Sequence, residues 1–225
     1  WLNEHHAGLP PTAVDLAIKT KLIDEADAKS LLRQNHVNVP HGKKCTRSEV
    51  ALVATEIGFP ITLKGLGLAH KSESGLVKVG LQNDQQVMQS LSQMPVAISE
   101  FLVEQTIVNV VAEILVGVRR DAPVGWLITL GAGGIYTELW RDTTHLLAPV
   151  SDEEIRDAIL KLRIAPLLTG FRGKPAGNID ALLKLIQSVV NTALQNDLVE
   201  IELNPVLVTP ETAIAVDTLM IASVK

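Results

Sequence analysis

The stretch Leu63–Gly80, LKGLGLAHKSESGLVKVG, organises the reading of the whole chain. An apolar run from Ile61 to Leu63 delivers Lys64 to the end of a strand, and a glycine-containing loop follows. That loop carries His70-Lys71-Ser72-Glu73, and a second strand is expected to begin near Leu76. Loops on a rigid scaffold commonly carry chemistry, because the scaffold aims their side chains. A lysine at a strand end is a natural phosphate ligand, and a nearby imidazole can accept a phosphoryl group. On these residues alone, a solvated basic turn is an equal alternative.

Bulk properties narrow the choice. A chain of 225 residues can bury one large core or two small ones, which suits a single domain with two lobes. Hydrophobic residues are 47% and charged residues 20%, a globular balance. Aromatics are only 3%, so the core must be aliphatic. The formal net charge of -5 argues against nucleic acid as a partner, since that would call for a basic face. A single cysteine, Cys45, excludes a disulfide framework and a thiolate zinc site, and fits a reducing cytoplasm. No apolar run approaches the ~20 residues needed to cross a bilayer. The chain starts at Trp1, and residues 1–23, with Pro10-Pro11, read as a linker or N-terminal extension cut from a longer polypeptide.

Helix signals are clear in four places. Asp24 can cap a helix through about Gln34, with Ala28, Leu31 and Leu32 on one face. Thr46 with Glu49, and Ser151 with Glu154, form capping boxes, and Gly58 stops the first of these helices. A further amphipathic helix is predicted over 180–194. Apolar runs of strand length occupy 60–64, 75–82, 96–102, 106–118, 125–130, 144–148, 198–208 and 213–220. This mixed order indicates an α+β fold with largely antiparallel sheets.

Three constellations can carry chemistry. In 198–220 two strands flank Thr209-Pro210-Glu211-Thr212. If those four residues are the turn, antiparallel register sets Asn204 opposite Asp217, with Glu202 on the same face. Ile201, Leu203, Leu207, Ile214 and Val216 then form the core face. Two carboxylates and an amide oxygen are hard ligands suited to Mg²⁺, although a polar solvent face fits equally. In 106–118 the even positions are uniformly apolar, so Glu113 points away from the buried face, into solvent or a cleft. Third, Gly131-Ala132-Gly133-Gly134 follows a strand, and backbone amides at Gly133 and Gly134 can form an anion nest. A plain glycine turn is the commoner alternative there. The remaining histidines lack metal-ligand spacing, so no zinc is assigned.

Taken in order, these pieces resemble the ATP-grasp domain of the NDP-forming acyl-CoA synthetases. That is the family of ADP-forming acetyl-CoA synthetase, with succinyl-CoA synthetase a more distant relative. The motifs are GFPITLK at 58–64, HKSESG at 70–75, EILVGVRRD at 113–121 and GAGGIYTEL at 131–139. FRGKPAGNIDAL at 171–182 and ELNP at 202–205 with Asp217 complete the set. One departure is Glu73-Ser74-Gly75-Leu76, where the family usually has Asp-Val-Gly-Gly.

The resemblance implies an ATP-grasp fold over 24–222, with a small lobe at about 44–98. The large lobe is then about 99–222 plus the helix 24–35, and nucleotide binds between the lobes. It implies that Lys64 contacts nucleotide phosphates and that the strand at Glu100, Phe101 and Leu102 holds adenine through its backbone. Asn204 and Asp217 match the Mg²⁺ ligands, and His70 matches a histidine that receives a phosphoryl group. Glu202 or Glu113 is the candidate carboxylate that orients His70. The implied activity is that of an acid–thiol ligase using ATP/ADP and Mg²⁺. Acyl-CoA, ADP and phosphate exchange with carboxylic acid, CoA and ATP, through acyl phosphate and phosphohistidine. The CoA-binding lobe is absent from these residues, so a CoA-binding α subunit or fused domain is expected to bring the carboxylic acid or acyl-CoA. Two alternatives share the fold: a catalytically silent regulatory domain of a protein acyltransferase, and a carboxylate ligase that has no use for His70.

Overall fold

The computed structural model describes residues 19–67 and 75–224. The first half contains strand β1 (Thr20–Ile23), helix α1 (Glu25–Gln34), β2 (Gly42–Thr46), α2 (Val50–Ile57), β3 (Ile61–Gly65), β4 (Val77–Leu81), α3 (Asp84–Gln93) and β5 (Glu100–Gln105). The second half contains β6 (Ala112–Asp121), β7 (Gly125–Ala132), α4 (Tyr136–Trp140), β8 (Thr143–Leu147), α5 (Asp152–Leu160), α6 (Ala165–Leu168), α7 (Ile179–Gln195), β9 (Leu198–Val208), β10 (Ala213–Ala215) and β11 (Thr218–Ser223). Every strand pairing among the described residues is antiparallel, as the sequence suggests. No helix among them is long and apolar enough to cross a membrane.

Two compact units result. The smaller comprises Asp24–Asp27 and Val39–Val108. The expected lobe boundary near 98 therefore moves past β5, because β5 is the interior strand of the small sheet, whose order is β2-β5-β3-β4. Alternation along β5 gives that sheet two distinct faces. Phe101 and Val103 point into a core shared with Ile61, Leu63, Val50 of α2 and Val87 of α3. Cys45 joins this core, and burial pushes its thiol up to about 11. The capping box of Thr46 and Glu49 forms as expected and opens a 3-10 turn (Arg47–Glu49) that leads into α2. Helix α3 escaped the sequence reading because its Gln- and Ser-rich run shows little apolar periodicity. Asn83 caps it through the Gln86 N–H, and only Val87, Ser90 and Leu91 are buried.

The larger unit holds Ala28–Asn38 and the described chain from Asn109 onward, together with β1. Its sheet runs β1-β11-β9-β6-β7-β8, with β10 also pairing β9. Residues 20–23, read as the end of a linker, are thus a paired strand, Thr20 lying opposite Ser223 and Ile23 opposite Met220. Helix α7 packs on β6, β9 and β10, and α5 packs beside it. Burial of Leu182, Ile186, Val189 and Ala193 at helical spacing drives that docking. Asn178 caps α7 through the Ala181 N–H and reaches the β9–β10 turn, its amide nitrogen donating to the Glu211 carbonyl. The AGN of the FRGKPAGNIDAL motif therefore fixes the turn of the candidate metal hairpin.

Candidate functional site

The hairpin of β9, β10 and β11 has the register read from sequence. Thr209 N–H donates to the Thr212 carbonyl at 2.8 Å, closing the turn. Val206 pairs with Ala215, and Leu203 with Thr218. Two residues on each strand lie between these pairs, so position 204 falls opposite 217. The pairing with β6 shows what happens there. Ile114 faces Val206 and Val116 faces Leu203, leaving Asn204 and Pro205 against Leu115 alone. This is a β-bulge, and it flips the alternation by one residue. The expected core face is corrected accordingly. Ile201 and Leu203 are buried, but beyond the bulge Val206, Val208, Ala213 and Ala215 are buried instead of Leu207, Ile214 and Val216.

The bulge aims Asn204 at the glycine loop after β7. Its Oδ1 accepts from Gly134 N–H at 2.8 Å, and Thr137 Oγ1 lies 3.5 Å away. Gly134 has φ +59, and a side chain there would overlap the Glu113 carboxylate. Gly133 N–H donates to the Glu113 carbonyl at 2.8 Å, and a Cβ at Gly133 would lie 2.6 Å from the carbonyl carbon of Ile114. Glu113, Gly133, Gly134 and Asn204 therefore form one cluster. The nest reading of the two glycines is revised, since both amides already serve protein acceptors. Their role is close approach, which lets a half-buried carboxylate and an amide oxygen both lie against the loop backbone. Burial pushes the Glu113 carboxyl above its usual range. Glu202 is half-buried on β9, opposite Gly117 on one side and Leu219 on the other.

Asp217 is exposed, and its Oδ1 accepts from Thr218 N–H at 2.9 Å, which fixes the carboxylate beside the interrupted ladder. Asn204 and Asp217 fit Mg²⁺. An amide oxygen can accept twice, so Asn204 can hold Gly134 and still face an ion. Among the described residues no group of three or more His, Cys, Asp and Glu could hold a metal. A Mg²⁺ site needs only one or two such carboxylates, with water and phosphate completing the octahedron.

In the smaller unit, Lys64 is buried on the polar face of its sheet. Its Nζ lies 2.7 Å from Glu25 Oε1 and 3.4 Å from Glu104 Oε2. Neither carboxylate was picked out from the sequence. Glu25 sits on the first turn of α1, whose buried face is Glu25, Ala28, Lys29 and Leu32 rather than an apolar stripe. Two charges on a helical core face defeat an apolar-periodicity search. The adenine reading of Glu100, Phe101 and Leu102 meets a structural objection. Phe101 and Leu102 are buried and paired with both β2 and β3, so their backbone groups already serve two ladders. Glu100 carbonyl accepts from Leu66 N–H, and its carboxylate lies 3.0 Å from Lys44 Nζ. His70 lies outside the described residues.

Comparison with known proteins defines the class. Residues 16–221 match the ATP-grasp domain family. The β subunit of ADP-forming acetate–CoA ligase I from Pyrococcus furiosus is 30% identical over 209 residues, covering 88% of this chain and 90% of that subunit. A trans-feruloyl-CoA synthase from an unknown prokaryotic organism is 29% identical over 231 residues, covering 96% of this chain but 32% of the synthase. A solved structure of dinucleotide-forming acetyl-coenzyme A synthetase 1 from Ca. Korarchaeum cryptofilum matches with a TM-score of 0.80 and 29% identity. The match covers 90% of this chain and 93% of that one, and that protein is in complex with coenzyme A and Mg-AMPPCP. This chain belongs to the ATP-grasp family of the ADP-forming acyl-CoA synthetases, which are acid–thiol ligases. It spans most of a separate β subunit and about a third of a synthase that is one long chain.

Proposed function

We propose that this chain is the nucleotide-binding, phosphoryl-transferring subunit or domain of an NDP-forming acyl-CoA synthetase. It works with a CoA-binding α subunit or fused domain that carries the carboxylic acid or acyl-CoA. The observation that carries this reading is the bulge that sets Asn204 beside Gly134 and Glu113, in register with Asp217. Asn204 and Asp217 would hold Mg²⁺, which neutralises charge on the nucleotide phosphates. Lys64 supplies further positive charge, and phosphoryl transfer depends on such neutralisation and in-line placement more than on covalent help. A His70 ring nitrogen bonds to the γ-phosphorus as the bond to the β–γ bridging oxygen breaks, and ADP leaves with that electron pair. Glu202 or Glu113 would accept a hydrogen bond from the other ring nitrogen and fix its tautomer. The phosphoryl group then passes to the acyl site of the partner. The single buried thiol suits a reducing, cytoplasmic setting.

Calorimetry of the full chain with Mg-ATP and Mg-ADP tests the nucleotide half. Saturable binding of both is expected, together with acyl-CoA synthesis only when a CoA-binding partner is added. Absence of any binding heat, or complete acyl-CoA synthesis by this chain alone, would sink the proposal.

A further inference from the structure

We propose that Glu25 is a positioning residue for Lys64, holding its ammonium charged and in place for phosphate; this rests on the assignment of Lys64 as the phosphate-contacting lysine. The geometry is specific. The side chains of Lys64, Glu25 and Glu104 are only 6%, 2% and 3% exposed, and the shorter contact, 2.7 Å, is to Glu25. Gly42 leaves room for the second carboxylate, because a Cβ there would lie 2.7 Å from Glu104 Cγ.

A lysine removed from water tends to lose its proton, and only an adjacent opposite charge prevents this. Charged groups nearby include Lys44 with its partner Glu100, and Asp24 and Asp27, which act electrostatically on Lys44. Lys29 lies one helical turn beyond Glu25 on the buried face of α1, and its ammonium donates to the Val216 carbonyl at 2.7 Å. Lys44 and Lys64 flank Leu102 in one cross-strand row. Of the two carboxylates in contact with the Lys64 ammonium, Glu25 is the nearer at 2.7 Å and Glu104 lies at 3.4 Å. Without Glu25, a neutral Lys64 amine would lose most of its attraction for phosphate. A contact made only to dock α1 would instead matter for stability and not for the proton on Lys64.

The test reads that proton directly. In nucleotide-free full chain bearing ¹³C-labelled lysine, the Lys64 signal is assigned by its loss in Lys64→Arg. Its titration midpoint in the unsubstituted chain is expected at or above the ordinary value of about 10.4. Glu25→Gln should lower the midpoint by about one unit or more, and Glu25→Asp should hold it near the starting value. Affinity of Glu25→Gln for Mg-ATP should then fall about fivefold further between roughly pH 7 and pH 10.4 than that of the unsubstituted chain. A midpoint well below 10.4 in the unsubstituted chain overturns the proposal even where Glu25→Gln fails to fold. So does an unchanged midpoint in Glu25→Gln, or an equal affinity loss at both pH values with a lowered melting temperature. If the midpoint falls as expected while the unsubstituted chain binds no nucleotide, the charge-holding role of Glu25 is supported and the phosphate role of Lys64 fails.

Discussion

Asp217→Ala is expected to weaken Mg-ATP binding by about a hundredfold while leaving the affinity for metal-free ATP nearly unchanged. The asymmetry follows from the position of the carboxylate. Asp217 is exposed between β10 and β11, where its Oδ1 accepts from Thr218 N–H, and in the proposed site it serves as an oxygen ligand. The fold does not depend on it for core packing, so the substitution should not unfold the hairpin. Asn204→Ala is the informative contrast. Removing that amide also strands Gly134 N–H, which it accepts at 2.8 Å, so both metal-dependent and metal-free binding should suffer. Calorimetry with and without Mg²⁺ separates the two. Equal loss in Asp217→Ala under both conditions would remove Asp217 from the metal site.

His70→Asn should abolish an acid-labile, alkali-stable label acquired from γ-³²P-ATP, or from labelled acyl phosphate in the presence of the partner. Chain geometry makes the transfer feasible. Gly65 N–H donates to the Leu76 carbonyl at 2.9 Å, and Lys64 pairs with Val77, so both ends of the connecting segment are pinned beside Lys64. Four residues lie between Gly65 and His70, and the five residue steps limit their separation to ~18 Å even at full extension. Asparagine keeps a polar side chain of similar reach but cannot form a stable phosphoramidate of this kind. Label that survives in His70→Asn would show that another group carries the phosphoryl, and His70 would then be at most a ligand.

Much of this architecture is legible in the residues. The Thr46–Glu49 and Ser151–Glu154 boxes, the amphipathic α7 and the Thr209–Thr212 turn are local signals, and each forms where local chemistry demands. Because turn length sets register, the opposition of positions 204 and 217 could be counted from the sequence. What could not be counted was non-local. The bulge at Asn204-Pro205 exists only relative to β6, a strand far away in sequence, so the exchange of buried faces beyond it left no local mark. Glu25 and Glu104 were invisible for a related reason. A buried carboxylate looks like a surface one until its partner, here Lys64 on another strand, is known. The glycines at 133 and 134 carried a true signal of close approach, but what approaches is the Ile114 backbone at Gly133 and the Glu113 carboxylate at Gly134.

Cys45 gives the smaller unit an intrinsic clock. Its thiol is 8% exposed within the β2–β5–β3 core, and burial holds it up to about 11, so at neutral pH very little thiolate is available and almost none is accessible. Since it is the only cysteine in the chain, alkylation in the native state proceeds through transient opening of this unit. The alkylation rate, compared with that of the unfolded chain, therefore measures the opening free energy of the lysine-bearing unit with no label introduced. Nucleotide that binds only the closed form must slow that rate in proportion to its occupancy. A rate unaffected by saturating Mg-ATP would mean that binding leaves the opening of this unit untouched.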